Sequence, residues 1–449
     1  MSNYLKPSLD VGTIIRTNQG ETFQILSFIG SGGQGEVYRV RGANREYALK
    51  WYYADRFLKR IDASAFYKNL ERNVNAGVPS LTSGNTATQF IWPLKVVPKQ
   101  YNSYGYIMNL FEPGYESMKN ILLGRHKDEK TGENIPIRWK SWEAVINASL
   151  NIVQAFEILH SRGLSYQDLN EGGISINPNN GDAMICDCDN VSPDKTNMGI
   201  RGVMNYMAPE VICGVSLPNV RTDAYSLAII LFRLFFYNHP MEGVKSIAMR
   251  SDESRSRQEI DLDIYGRHPH YCLDVNSNVN PPAEKHKDVR RLCAEFPRVL
   301  FEAFQQVFTE GVQNPGKRLT ATEWRKVLLQ VRDSLVMVQG REQFYFTPYA
   351  KKLPENARVL VYPNGHKVLC MPDKLLYAYH FDQYNKDFHT PMARVLDAGR
   401  NDALILFNGS GKTIFAQRNG VVKTCKDRGA IPLMKGVQFR IGQMTVEVE

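Results

Sequence analysis

Leu164-Ser-Tyr-Gln-Asp-Leu-Asn-Glu-Gly-Gly-Ile174, then an Asn177-Pro-Asn-Asn-Gly181 turn, then Met184-Ile-Cys-Asp-Cys-Asp-Asn190, decide the fold of this 449-residue chain. Asp168 and Asp187, each with apolar flanks, stand nineteen residues apart across that turn. Short apolar runs on either side of an Asn/Gly turn predict a hairpin. An acid at each end of it suits phosphoryl transfer. One carboxylate orients the attacking hydroxyl, and the other holds the metal that neutralises phosphate charge. An Asp beside a turn is also a common cap or solvated loop residue, so the rest of the chain has to decide.

Upstream, Thr22 to Val40 reads as two strands around a glycine-rich turn, Gly30-Ser31-Gly32-Gly33-Gln34-Gly35-Glu36-Val37. Gly30, Gly32 and Gly35 have G-x-G-x-x-G spacing, and glycine lets a backbone fold tightly over phosphate oxygens with its N–H groups free. A dinucleotide fold needs a helix after the third glycine. Here Glu36-Val-Tyr-Arg-Val40 continues as a strand, which predicts a phosphate-covering hairpin instead. The next strand, Arg45 to Tyr52, carries Lys50 among apolar neighbours. A lysine there either snorkels at an edge or needs a partner. The following helical segment repeats Phe66, Leu70 and Val74, with Tyr67 and Glu71 on the adjoining face. That pattern points Glu71 at Lys50.

Gly105 to Phe111 reads as a buried strand, and Trp139 to Leu159 as an amphipathic helix leading into the Asp168 stretch. Thr222 to Phe236 is apolar nearly all round and reads as a buried helix. Residues 244–290 are polar, Pro-rich and poorly periodic, an excursion rather than a domain. Helical pattern resumes over Phe296–Glu310 and in a last helix to about Val338. From about Phe344 the chain turns to short strands, with Ala357–Tyr362 and His366–Cys370 predicted to pair across a two-residue Asn364-Gly turn. This predicts an all-β sandwich of about 100 residues.

Composition fits a globular chain, 43% hydrophobic and 22% charged. No apolar run reaches membrane-spanning length, and Met1-Ser-Asn-Tyr-Leu-Lys6 lacks the pattern of a secretory signal. Seven cysteines without framework spacing point to reduced thiols in a cytoplasm. Cys186 and Cys188 form a C-x-C with no second Cys/His pair at zinc spacing, so both read as strand residues. The +9 net charge gathers late, with sixteen Lys or Arg against ten Asp or Glu from Arg341 onward. No nucleic-acid motif accompanies it, so a solvated basic surface is the better reading.

Together these pieces resemble a eukaryotic-type protein kinase over roughly residues 22–335. Gly30 to Val37 resembles the glycine-rich loop, and Ala48-Leu-Lys50 the strand lysine. Tyr166-Gln-Asp-Leu-Asn170 is similar to the catalytic loop, Asp187-Cys-Asp189 to D-F-G, and Ala208-Pro-Glu210 to A-P-E. Asp223-Ala-Tyr-Ser resembles the start of the kinase's buried helix, and Arg318 the arginine that pairs with the A-P-E glutamate. The sequences around Leu169-Asn-Glu-Gly, Cys186 to Asn190 and His239-Pro-Met-Glu-Gly243 are similar to a divergent bacterial branch, often encoded beside a PP2C-type phosphatase and a von Willebrand-type protein.

The resemblance implies an α+β, bilobal kinase fold: an N-lobe over 10–111, a C-lobe over 112–338 with the excursion at 244–290, and a β domain over 345–449. It implies ATP and Mg²⁺ or Mn²⁺, with a protein substrate and the two neighbour proteins as partners. Backbone groups from Ser31 to Gly35 would cover the phosphates. Lys50, anchored by Glu71, would hold them. Met108 would be gatekeeper, with Asn109, Leu110 and Phe111 meeting adenine. Asp168 would orient the hydroxyl and Asp187 would ligate the metal.

The departures are specific. The catalytic-loop Asn for a second metal falls at Gly173, leaving Asn170 or Asp189 to substitute, or a single metal. Asn170 and Val203 replace the Lys and Thr that contact the catalytic Asp in Ser/Thr kinases. Gln167 replaces the Arg that clamps a phosphorylated activation segment. A nucleotide-binding scaffold and a small-molecule kinase are therefore the alternatives. The C-terminal strands faintly resemble a forkhead-associated (FHA) sandwich. Gly399-Arg400 is present but no Ser-x-x-His follows, which implies a docking or packing domain rather than a phosphothreonine reader.

Overall fold

The computed structural model describes residues 7–79, 90–128, 131–200, 202–349, 351–399, 403–441 and 444–449. Arg400 lies outside them. The chain divides into two compact units, Met1–Val289 with Phe304–Arg325, and Arg290–Ala303 with Lys326–Glu449. Residues 326–338, expected at the end of the C-lobe, group with the C-terminal strands.

The first unit begins with an antiparallel sheet of β1 (Ile14–Arg16), β2 (Thr22–Ser31), β3 (Gly35–Arg41), β4 (Glu46–Tyr52), β5 (Lys95–Gln100) and β6 (Ser103–Met108), ordered β1-β2-β3-β4-β6-β5. Strand period two sorts its side chains. Leu49 and Trp51 of β4 join a core with Phe23, Ile25, Tyr38 and Ile107. Ala48 and Tyr52 join another with Tyr106, Met108 and the helix residues Phe66 and Leu70. Lys50 shares that second face by alternation. Gly35 is required by the sheet itself, since a Cβ there would stand 2.2 Å from the Trp51 carbonyl oxygen.

The helix α1 (Ala63–Ala76) starts where the Asp62 carboxylate accepts from Ala65 N–H, and stops at Gly77 with φ +71°. Its buried residues are Phe66, Asn69, Leu70 and Asn73. The inward stripe therefore includes two asparagines and runs beside Glu71 rather than through it. Glu71 makes no ion pair with Lys50. The expectation erred because apolar periodicity alone set the face, and the asparagines that share it are polar.

Below the sheet, α2 (Trp142–Ser161) is capped by Ser141 and carries buried residues on nearly every side. It begins after Trp139, where that cap sets its start. The predicted hairpin is present as β7 (Ile174–Ile176) against β8 (Ala183–Ile185), with Ile174 opposite Ile185. The buried helix α3 (Val220–Phe236) opens on a capping box of Asn219 and Thr222. The excursion is ordered in part as short helices, Val244–Arg250 and Arg257–Leu262. Within it Tyr265 donates to Glu242 Oε1 at 2.6 Å, and Arg250 reaches the same carboxylate. No helix among the described residues is long and apolar enough to cross a membrane.

In the second unit a six-stranded antiparallel sheet has the order Lys367–Cys370, Arg358–Val361, Met444–Val448, Gln438–Ile441, Ile414–Arg418, Val421–Cys425. A second sheet joins Leu375–Tyr377, Pro391–Asp397, Leu404–Asn408 and Ala430–Pro432. Both contribute to one core that includes Leu360, Val368, Val395, Leu406, Phe439 and Val446. Two expectations change. The last helix ends at Asp333, and Leu335–Val338 instead pairs with Arg341–Phe344 around Gln339 and Gly340, both at positive φ. The Arg358–Cys370 hairpin closes over three residues, Pro363 to Gly365, because Tyr362 N–H donates to the His366 carbonyl.

Asp333 anchors this unit. His366 Nε2 lies 2.7 Å and His380 Nε2 3.0 Å from its Oδ2, and Tyr379 donates to both oxygens. The three acid and imidazole groups are close enough for a cation. His380 Nδ1, however, accepts from Tyr377 N–H, so its proton sits on Nε2 and is spent on the carboxylate. The cluster is a hydrogen-bonded one.

The A-P-E glutamate and Arg318 form a two-pronged pair in the first unit, Nη1–Oε1 at 2.6 Å and Nη2–Oε2 at 2.8 Å, with Arg318 Nε donating to the Gly311 carbonyl. Arg318 is wholly buried. Glu210→Ala strands that charge and is expected to lower stability by about 3 kcal/mol, read as a fall in the denaturant midpoint. Lys59→Ala, in a fully exposed pair with Asp55, leaves the midpoint where it is.

Candidate active site

Strand register assembles the first part of the site. Lys50 stands opposite Val37 on β3 and opposite Tyr106 on β6, while Ala48 stands opposite Met108. Lys50 is 5% exposed, and its ammonium meets four oxygens. They are Asp187 Oδ1 at 2.8 Å, Asp189 Oδ1 and Oδ2 at 3.1 and 3.0 Å, and Gln34 Oε1 at 2.7 Å. Burial pulls the lysine pKa down, but the two carboxylate charges outweigh it and hold it above the ordinary value. Asp189 also accepts from Tyr106 at Oδ1 (3.0 Å) and from Tyr52 at Oδ2 (2.7 Å). Burial, then the Asp189 charge, push both phenols well above their usual pKa, so they remain donors.

The two acids of the Asp-Cys-Asp segment are thus unlike. Asp189 is fully buried with both oxygens filled. It does not fit a metal. Asp187 has a 46% exposed side chain, and its Oδ2 takes no hydrogen bond among the described residues. A hard, open carboxylate oxygen suits Mg²⁺.

Asp168 is held at one oxygen. Asn170 Nδ2 donates to Oδ1 at 3.0 Å and Val203 N–H donates to the same atom at 3.2 Å. The two positions where the expected Lys and Thr are missing therefore still reach the acid, one through an amide and one through backbone. Asn170 Oδ1 accepts from Gly172 N–H at 2.9 Å. Burial first, and the Asp187 charge with it, raise the Asp168 carboxyl to about 6 against the lowering hydrogen bonds of Asn170 and Val203. The loop backbone is fixed by Asp223, which accepts from Tyr166 N–H at 2.7 Å and Gln167 N–H at 3.2 Å. Gln167 itself has φ +73° and donates to Ser192 Oγ and the Thr196 carbonyl. These are neutral bonds where an arginine would seek a phosphate.

Gly30, Gly32 and Gly33 face open space, where an added Cβ would touch nothing within 4 Å. Gln34 folds inward, bonding Asn190 at 3.0 Å as well as Lys50. On the apolar side, Val37, Ala48, Met108, Leu110, Met184 and Cys186 belong to one cluster. Asn109 is bonded through its side chain by Arg45, and Phe111 is exposed. Sequence reasoning missed Tyr52, Tyr106, Asn69 and Asn73. The signal for the tyrosines is that Tyr52 lies two residues from Lys50, on the same strand face.

Gly173 explains itself through Tyr166. A Cβ at 173 would stand 2.7 Å from the Tyr166 hydroxyl, which donates to the Cys186 carbonyl. The phenol fills the place from which a side chain at 173 would otherwise project. Gly173→Ala is expected to destabilise by about 2 kcal/mol through overpacking. In a Tyr166→Phe background the nearest ring atom is 3.7 Å away, and the same change should cost well under half of that. Paired melting curves of the four proteins check it.

Residues 23–326 match the family described as the protein kinase domain. The chain is similar to the serine/threonine-protein kinase PknD of Protochlamydia amoebophila, 26% identical over 261 residues, covering 53% of this chain and 25% of that protein. It is also similar to the probable serine/threonine-protein kinase CPE1738 of Clostridium perfringens, 23% identical over 235 residues, covering 50% and 30%. A mouse serine/threonine-protein kinase, TNNI3K, is 24% identical over 231 residues, covering 50% and 25%. The chain spans between a quarter and a third of the length of these curated relatives. Since the family match takes in more than half of its residues, the chain belongs to the protein kinase domain family.

Proposed function

We propose that the chain is an ATP-dependent protein kinase that transfers the γ-phosphate to Ser or Thr hydroxyls of a protein. One observation carries the proposal: beside the buried Lys50 ammonium, Asp168 and Asp187 each keep Oδ2 clear of protein donors among the described residues. The names of the relatives support Ser/Thr as the acceptor class. Backbone N–H groups from Ser31 to Gly35 cover the phosphates, and Lys50 holds them when Asp187 and Gln34 give way. A divalent cation, when bound, neutralises charge on the phosphates, and Asp187 Oδ2 is the oxygen this chain offers it. Asp168 orients the hydroxyl through Oδ2 and takes its proton late. Asn170 and Val203 keep Oδ1 from turning into that role. The apolar group of Val37, Ala48, Met108 and Leu110 receives adenine.

A nucleotide-binding scaffold is the second reading, favoured by the lack of a side-chain ligand at Gly173 and by the enclosure of Asp189. For the second unit we infer a degenerate FHA-like sandwich used for docking. Its support is the pair of sheets around one core and the Gly399 turn at φ +67°.

ATP turnover and autophosphorylation with Mg²⁺ or Mn²⁺ decide between the readings. Lys50→Met, Asp168→Asn and Asp187→Asn are each expected to lose about a hundredfold or more. Nucleotide binding without turnover in the parent protein would establish the scaffold instead. The pH profile adds a sign. Asp168 works ionised, so kcat/KM should fall below an acid limb at about 6. Asn170 lowers that pKa by donating to the ionised form, so Asn170→Ala should move the limb to higher pH. Finally, Ser192→Ala/Thr196→Ala should keep most of the activity, because Gln167 still donates to the Thr196 backbone carbonyl and that hold needs no phosphate. Loss of most of it would contradict this.

A further inference from the structure

Lys50 in this chain is anchored from an unexpected direction. Kinases fix the strand lysine with a glutamate on the neighbouring helix. Here the inward face of α1 presents Asn69 and Asn73. Asn69 Nδ2 donates to the Asp189 and Val191 carbonyls at 3.4 and 2.8 Å, and Asn73 Nδ2 to the Cys188 and Val191 carbonyls at 3.4 and 2.9 Å. The helix thus grips the backbone of the Asp-Cys-Asp segment with neutral amides and sends no carboxylate to the lysine. The carboxylate comes from the segment itself. Asp189 meets Lys50 with both oxygens, and Tyr52 and Tyr106 fill the remaining acceptor sites. A carboxylate that accepts four hydrogen bonds from three donors and has no exposure is built to stay. Its neighbour Asp187, open to solvent, is the one able to exchange Lys50 for other partners.

We propose that Asp189 is the positioning residue for Lys50, replacing the helix glutamate, so that lysine alignment is fixed by the segment that bears Asp187. The proposal rests on the kinase reading above. Its consequence is that alignment follows the Asp-Cys-Asp segment and not the acidic residue on α1. A helix that shifts would loosen its asparagine bonds while the lysine kept its carboxylate. Glu71 lies outside this machinery.

The test measures affinity for a fluorescent ATP analogue, and kcat and KM for ATP, in the full chain. Asp189→Asn is expected to weaken nucleotide binding and to cut kcat/KM at least tenfold, while Glu71→Gln stays within twofold of the parent. Asp189→Asn added to Lys50→Met should weaken nucleotide binding no further than Lys50→Met alone, since Asp189 acts through the lysine. A purely structural role would make the two losses additive and overturn the proposal. So would a Glu71→Gln loss of tenfold or more, an arm that stands even where Asp189→Asn fails to fold. If the parent protein binds ATP without turning it over, the kinase reading fails while the binding cycle still judges Asp189. If the parent binds no nucleotide at all, both fall.

Discussion

A buried ammonium must be compensated where it sits, and the first unit is arranged around that requirement at Lys50. Removing such a charge from water costs several kcal/mol, recovered only with good geometry and full hydrogen bonding. Strand β4 cannot provide this alone, because its neighbours on the Lys50 face are Ala48 and Tyr52. The acids arrive from the far side of the turn between β7 and β8, about 140 residues later. The sheet and the Asp-Cys-Asp segment are therefore held together by a charge pair that neither can satisfy separately. Tyr52 and Tyr106 complete it by spending their hydroxyls on Asp189, which leaves no buried oxygen of that carboxylate unpaired.

The same accounting explains the positions where this chain departs from its family. Where the expected groups are missing, neighbours take up the space or the contact, though no side chain restores the ligand missing at Gly173. The Asn170 amide and the Val203 backbone steady Asp168. Gly173 leaves a space, and the Tyr166 phenol fills it and closes on the Cys186 carbonyl. Gln167 holds the activation segment with an uncharged amide, and Ser192 is buried against it. A phosphate on that serine would bring charge into a site built from neutral donors, where it would disrupt rather than order. Departures that look separately like losses form a consistent set of neutral substitutions around a few retained charges.

Much of this was legible in the sequence. The glycine turn followed by a strand, the lysine in an apolar strand, the paired acids around an Asn/Gly turn and the buried helix all follow from spacing and periodicity. What stayed hidden has a common cause. Periodicity treats polar residues as outward, so Asn69 and Asn73 concealed the inward stripe of α1 and put Glu71 in their place. Tyr52 and Tyr106 fall inside strands, and nothing in a strand pattern tells whether a buried hydroxyl has an acceptor. Asp333, His366 and His380 are 33 and 14 residues apart along the chain, and only the fold brings them together. The apolar run Leu335-Val-Met-Val338 reads as the end of a helix in sequence, whereas the Gln339-Gly340 turn folds it into a hairpin.

The environments of Asp168 and Asp187 also divide their work. Asp168 is largely buried, with one oxygen tied to two uncharged donors, and burial raises its pKa towards the range useful in a base. Asp187 is half exposed and keeps one oxygen on the Lys50 ammonium, which leaves the other turned to solvent for a metal. Lys50 acts on both, since its charge also draws the Asp168 pKa down while that of Asp187 draws it up. Moving Lys50 would therefore unpair Asp187 and raise Asp168 together, disturbing the metal ligand and the base in one step. A lysine with that double influence needs an anchor that does not move with solvent or substrate, and in this cleft the only carboxylate enclosed enough to serve, among the described residues, is Asp189.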